Sequence, residues 1–160
     1  MWDASQGAGL SSLPSRRTLA CFHGLGVRYG VNVSGASSAE IYGDELPPGL
    51  VCHDFRFADV FTRREDAAAA WIELGEAGRT ALTAAVRCTA EALAAAVPVL
   101  VFCHLGVGRS PLVLAMALEQ ARGMSRAQAM ATVKALRSGA AFSPAALGVW
   151  DRLQAVEAGA

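Results

Sequence analysis

Apolar positions along the chain fall into short runs with strand-like spacing and longer stretches with helical spacing. Leu13–Leu25 opens with Pro14 and Ser15, carries Leu19, Phe22 and Leu25 at roughly helical intervals, and meets Gly24 and Gly26; this predicts a short helix with a glycine stop. Val27–Val33 alternates Val27, Tyr29, Val31 and Val33 with smaller or polar residues, as a strand covered on one face would. A polar loop is expected from there through Pro48. Leu50–Phe57 is a second strand candidate, with Cys52 and His53 inside it and Phe55 and Phe57 on one face. The charged, Ala-rich connection Thr62–Gly78 is expected to hold a helix over Glu65–Leu74, ahead of a stronger helix over Arg79–Ala96. Pro98–Cys103 is wholly apolar and short, the pattern of a strand covered on both faces, and a glycine-containing turn and a helix follow it. Two more helices are predicted, Ser125–Arg137 with an N-cap serine and Ser143–Val156 with Ser143 as cap and Pro144 at the first helical position.

Strand, loop and helix in that order form an α/β unit, so the expected architecture is a small, mainly parallel sheet flanked by helices. With 160 residues there is room for one ordinary domain, placed at residues 10–157, with residues 1–9 as a flexible tail. The formal net charge is zero, which gives no reason to expect a nucleic-acid partner or an electrostatically bound membrane. Val97–Leu118 has the apolarity of a membrane span, but His104, two glycines, Arg109, Ser110 and Pro111 interrupt its centre. The start of the chain lacks the pattern of a signal peptide. Cys21, Cys52, Cys88 and Cys103 show neither a C-x-x-C pair nor a histidine at ligand spacing, so no zinc site and no secreted disulfide framework is expected. A reduced, cytoplasmic setting, no metal, no cofactor and a monomer are the corresponding expectations. Taken singly, Cys21, Cys52 and Cys88 read as small buried hydrophobes.

Candidate chemistry concentrates in Cys103-His104-Leu105-Gly106-Val107-Gly108-Arg109-Ser110. A loop that turns a buried strand into a helix aims successive backbone N–H groups into its own hollow, and the helix N-terminus adds positive potential there. That hollow suits a phosphate dianion, held by the loop from His104 to Gly108. Gly106 and Gly108 permit the backbone angles required, and Arg109 offers a two-pronged fork that lysine cannot replace. The same field favours a thiolate on Cys103, the candidate nucleophile, and Ser110 can donate a hydrogen bond to its sulfur.

This stretch resembles the signature of the protein tyrosine phosphatase superfamily, and its cysteine-x5-arginine-serine form in a short chain looks most like the dual-specificity branch. Leu25-Gly26-Val27-Arg28 with Val31-Asn32-Val33 is similar to that family's early helix-to-strand passage, and Gly123-Met124-Ser125 with Ala129 and Arg137 resembles its helices after the loop. The resemblance runs from about Leu10 to Leu153 and is weakest between Phe61 and Arg79. It implies hydrolysis of phosphomonoesters on proteins, phosphotyrosine and also phosphoserine or phosphothreonine, through a phosphocysteine intermediate. It further implies an aspartate as general acid. Asp59, just after the Phe55-Arg56-Phe57-Ala58 strand end, is the first candidate; Asp66 and Asp54 are the competitors. The interval from Asp59 to Cys103 is longer than usual for the branch, which an inserted segment within Thr62–Gly78 would explain. One departure stands out: the family usually has histidine before the cysteine, bracing the loop, whereas this chain has Phe102 there and His104 on the other side. His104 reads as a solvent-facing residue at the pocket mouth. The absence of lysine or arginine at positions 104, 105 and 107 argues against highly phosphorylated inositides. Two other readings compete: a catalytically weak phosphate-loop module that binds phosphorylated proteins, and a rhodanese-like sulfurtransferase, whose loop is normally one residue shorter.

Overall fold

The computed structural model describes residues 1–62 and 65–159. The described residues form strands β1 (Trp2–Asp3), β2 (Ala8–Ser11), β3 (Tyr29–Asn32), β4 (Val51–Asp54) and β5 (Val99–Phe102), and helices α1 (Arg16–Gly24), α2 (Ser38–Tyr42), α3 (Ala67–Ala94), α4 (Arg109–Arg122), α5 (Arg126–Leu136) and α6 (Pro144–Ala158). The sheet order is β1-β2-β5-β3-β4, parallel throughout except for β1. The α/β class and the mainly parallel sheet are therefore as the pattern predicts.

β5 lies at the centre and is buried at every position, because alternate side chains feed two different cores. Val99 and Val101 face the larger core, built with Leu82 and Val86 of α3, Leu112 and Leu114 of α4, Val133 of α5 and Trp150 of α6. Leu100 and Phe102 face the smaller one, with Leu19 and Phe22 of α1 and Tyr42 of α2. A strand covered on both faces ends where its carbonyl edge meets the surrounding loops, and β5 ends one residue before Cys103.

Two features depart from expectation. Residues 1–9 form no loose tail: Trp2 and Asp3 pair with Gly9 and Ala8, Met1 O accepts from Leu10 N at 2.9 Å, and β2 runs parallel to β5. The polar stretch after β3 contains α2, opened by a capping box between Ser37 and Glu40. The two helices expected at Glu65–Leu74 and Arg79–Ala96 are both present: α3 consists of two helical segments that meet at Gly75, where the backbone is not helical (φ 60°, ψ 179°). Arg63 and Arg64, within the connection suggested as an insertion, lie outside the described residues. Among the described residues no helix is long and apolar enough to cross a membrane.

Candidate active site

Cys103 is buried at the foot of the loop that links β5 to α4, and its Sγ accepts from Gly106 N and from Ser110 Oγ, both at 3.1 Å. Two donors, one from the backbone and one from a side chain, thus converge on one sulfur. The loop's shape is fixed from outside. His104 O accepts from Leu13 N at 3.2 Å, Leu105 O from Arg137 Nη2 at 2.8 Å, and Val107 O from Ala141 N at 2.9 Å. In a trans peptide plane the next N–H points opposite to the carbonyl, so these outward tethers turn the N–H groups of Leu105, Gly106 and Gly108 toward the hollow. The Gly106 bond to Sγ is that geometry realised.

Two glycines are required by packing. Gly106 has φ +67°, and a Cβ there would stand 2.6 Å from Ser12 N. At Gly108 a Cβ would stand 2.7 Å from Thr62 Cγ2 and 3.3 Å from Asp59 Oδ1, so this glycine lets the acidic loop lie directly against the phosphate loop.

Arg109 opens α4 and is only 6 % exposed. Its Nη1 donates to Phe57 O at 3.4 Å, and its Nε stands 3.6 Å from Asp59 Oδ2 without a hydrogen bond. A buried guanidinium with an uncommitted N–H is a ready anion receptor. Asp59 Oδ1 is likewise buried without a partner. The structure thus gathers Cys103, Ser110, Arg109 and Asp59 into one place, while His104 and Leu105 are exposed at the loop's outer edge.

The competing carboxylates are committed elsewhere. Asp54 Oδ1 accepts from Asn32 Nδ2 at 2.7 Å and Ser38 N at 2.9 Å, and its Oδ2 accepts from Ser38 Oγ at 2.9 Å. This network folds the loop after β3 so that Gly35 comes against Arg109 Nη1. Asp66 is the N-cap of α3, accepting from Ala68 N at 2.8 Å. Both carboxylates are thus engaged in structural hydrogen bonds.

Phe102 is fully buried with its ring edge-on to Tyr42 (6.5 Å, 71°), and among the described residues the hydrogen bonds to Cys103 Sγ come from Gly106 and Ser110, not from that side. Bracing comes instead from Leu13, Arg137, Ala141 and Ser110. Of these only Ser110 and Arg137 carry a signal a sequence can show; the backbone donors do not. Burial, and next the nearby Asp54, push the Cys52 thiol up to about 11. It packs against the smaller core that holds Phe102. Cys21, expected in the core, is exposed. Among the described residues no His, Cys, Asp and Glu side chains group as metal ligands would.

No protein-family model matches the sequence, and no curated protein matches it significantly. The fold is similar to that of solved dual-specificity phosphatases, at 24% sequence identity or less. It is similar to human DUSP28, with 24% identity, a TM-score of 0.69 and 100% of both chains covered. A mouse putative dual specificity phosphatase matches at 23% identity and TM-score 0.65 over 98% of this chain and 86% of that one. The human tyrosine phosphatase-like serine/threonine/tyrosine-interacting protein matches at 17% and 0.62, over 98% and 94%.

Proposed function

We propose that the chain is a phosphomonoesterase acting on phosphorylated proteins, phosphotyrosine and also phosphoserine or phosphothreonine, within one domain whose sheet includes β1 and β2. The observation that carries this reading is the pairing of a buried sulfur that accepts two hydrogen bonds with a buried, incompletely bonded guanidinium on the same loop. Such a pair costs folding energy unless an anion of matching shape uses it.

In the proposed reaction a phosphate monoester settles into the hollow and takes Arg109 for its oxygens, freeing Asp59 to face the leaving oxygen. The Cys103 thiolate attacks phosphorus in line, the P–O bond to the leaving group breaks, and Asp59 gives its proton to the departing oxygen. Loop amides and Arg109 stabilise the charge on the equatorial oxygens. Water then attacks the phosphocysteine, Asp59 takes its proton, and sulfur leaves as thiolate with the Ser110 hydroxyl donating to it. Exposed Leu105 and half-buried Val107 add no cation beside the loop, in keeping with a substrate bearing a single phosphate.

The alternative reading, a module that binds phosphorylated proteins without turnover, is favoured by one observation: Phe102 stands where a bracing histidine is usual. The name of the tyrosine phosphatase-like relative in fold adds that this architecture is not confined to proteins called phosphatases. Hydrolysis of p-nitrophenyl phosphate in the presence of chelator, abolished by Cys103→Ser and Arg109→Ala, supports the enzyme. Phosphopeptide binding without hydrolysis supports the module.

A further inference from the structure

Asp59 sits at the middle of a loop that is pinned at two carbonyls, each two residues away. On one side Phe57 O accepts from Arg109 Nη1 at 3.4 Å, and on the other Phe61 O accepts from Ser143 Oγ at 2.7 Å. Between them the ring of Phe61 is fully buried and lies edge-on to Phe57 (6.4 Å, 71°). The Ser143 hydroxyl does two things at once. As N-cap of α6 it accepts from Ala146 N at 3.1 Å, and with its single proton it donates to Phe61 O.

We propose that Ser143 is a positioning residue for the acid: its hydroxyl fixes the loop carrying Asp59 at the height above the phosphate loop from which the leaving oxygen can be protonated. The proposal rests on the reading of Asp59 as general acid. Arg109 cannot hold this loop alone during turnover, because the phosphate competes for its N–H groups. Ser143 belongs to no phosphate-binding element, so its tether persists when substrate enters. The second anchor is thus independent of the ligand, and it links the acid to a helix whose start is already rigid, with Pro144 at its first position.

Ser143→Thr keeps both the cap and the donor, whereas Ser143→Asp keeps a good cap but has no proton to give Phe61 O. In the full chain, kcat and KM are compared for p-nitrophenyl phosphate and for phenyl phosphate, whose leaving group needs the acid far more. We expect Ser143→Asp to lower kcat for phenyl phosphate about tenfold more than for p-nitrophenyl phosphate with KM little changed, Ser143→Thr to behave as wild type, and no further loss when Ser143→Asp is added to Asp59→Asn. Amide hydrogen exchange at residues 58–62 is expected to quicken in Ser143→Asp and not in Ser143→Thr. An unchanged ratio of the two esters in Ser143→Asp overturns the positioning role, whether or not exchange quickens. If wild type hydrolyses neither ester, the phosphatase reading falls, and the exchange comparison alone then decides whether Ser143 fixes this loop.

Discussion

Gly106 offers a substitution whose cost can be divided into parts before it is measured. Its φ of +67° is nearly that of Gly123, at 62°, which ends α4. A Cβ at Gly123 meets nothing within 4 Å, whereas one at Gly106 would stand 2.6 Å from Ser12 N and 2.9 Å from Ser11 C and O, all backbone atoms at the end of β2 and the residue after it. Both Gly→Ala changes carry the left-handed backbone penalty, roughly 1–2 kcal/mol. Only Gly106→Ala must also move a loop whose neighbours cannot give way. The loop's retreat breaks the Gly106 N–H contact to Sγ at 3.1 Å and tilts one inward amide off target. Loss of one such donor lowers kcat by about 10²–10³ where it has been measured in comparable anion holes. Urea denaturation and p-nitrophenyl phosphate turnover on both variants form the assay. Gly123→Ala is expected to lose about 1–2 kcal/mol with kcat/KM intact, and Gly106→Ala to lose at least that much stability together with nearly all turnover. Equal stability and equal turnover in the two variants would refute the reasoning that the loop is shaped by its seat on Ser11 and Ser12.

The other carboxylates supply a contrast in kind. Asp59→Asn is expected to slow phenyl phosphate far more than p-nitrophenyl phosphate, while Asp54→Ala loses about 2–3 kcal/mol of stability, as expected for hydrogen bonds to a charged group, with no leaving-group dependence. A reversed pattern in steady-state kinetics would exchange their roles. Phe102→His places ring nitrogens among Leu19, Phe22, Val27, Leu50 and Leu100, where the Tyr42 hydroxyl is already spent on Pro14 O at 2.8 Å. A stability loss of about 2 kcal/mol in urea is expected, and an unchanged midpoint contradicts this apolar setting. Burial raises Cys52 from 9.0 to about 11, so the folded state favours its neutral thiol; that stability is fully present below about pH 9 and is lost as pH rises through about 11. Cys52→Ala should therefore flatten the alkaline fall in the denaturation midpoint, and an identical slope in both proteins would count against the burial described.

How much of this was legible follows from where each signal resides. The buried strand, the glycines and Arg109 are neighbours in sequence, and the loop's chemistry could be read directly from them. β2 was hidden by its own packing. A Cβ at Gly9 would press on Leu100 Cδ1 and Trp2 Cε3 at 3.0 Å, which favours glycine there, and a strand buried at all four positions carries only one large apolar residue, Leu10. α2 had its capping box, Ser37 and Glu40, in plain view, but five residues are too few for a periodicity. The choice among Asp54, Asp59 and Asp66 could not be made by spacing, since it depends on which carboxylates are already engaged, and the partners of Asp54 lie 22 and 16 residues away. The Ser143 tether spans 82 residues and is purely tertiary.

Covalent capture of the phosphocysteine decides whether Cys103 is the nucleophile. Wild type and Asp59→Asn are mixed with p-nitrophenyl phosphate, quenched in acid, digested and examined by mass spectrometry. A gain of one HPO3 is expected on the peptide containing Cys103, stronger in Asp59→Asn because hydrolysis of the S–P bond is slowed, and absent in Cys103→Ser. Steady turnover with no adduct on that peptide, or turnover surviving in Cys103→Ser, would contradict that role.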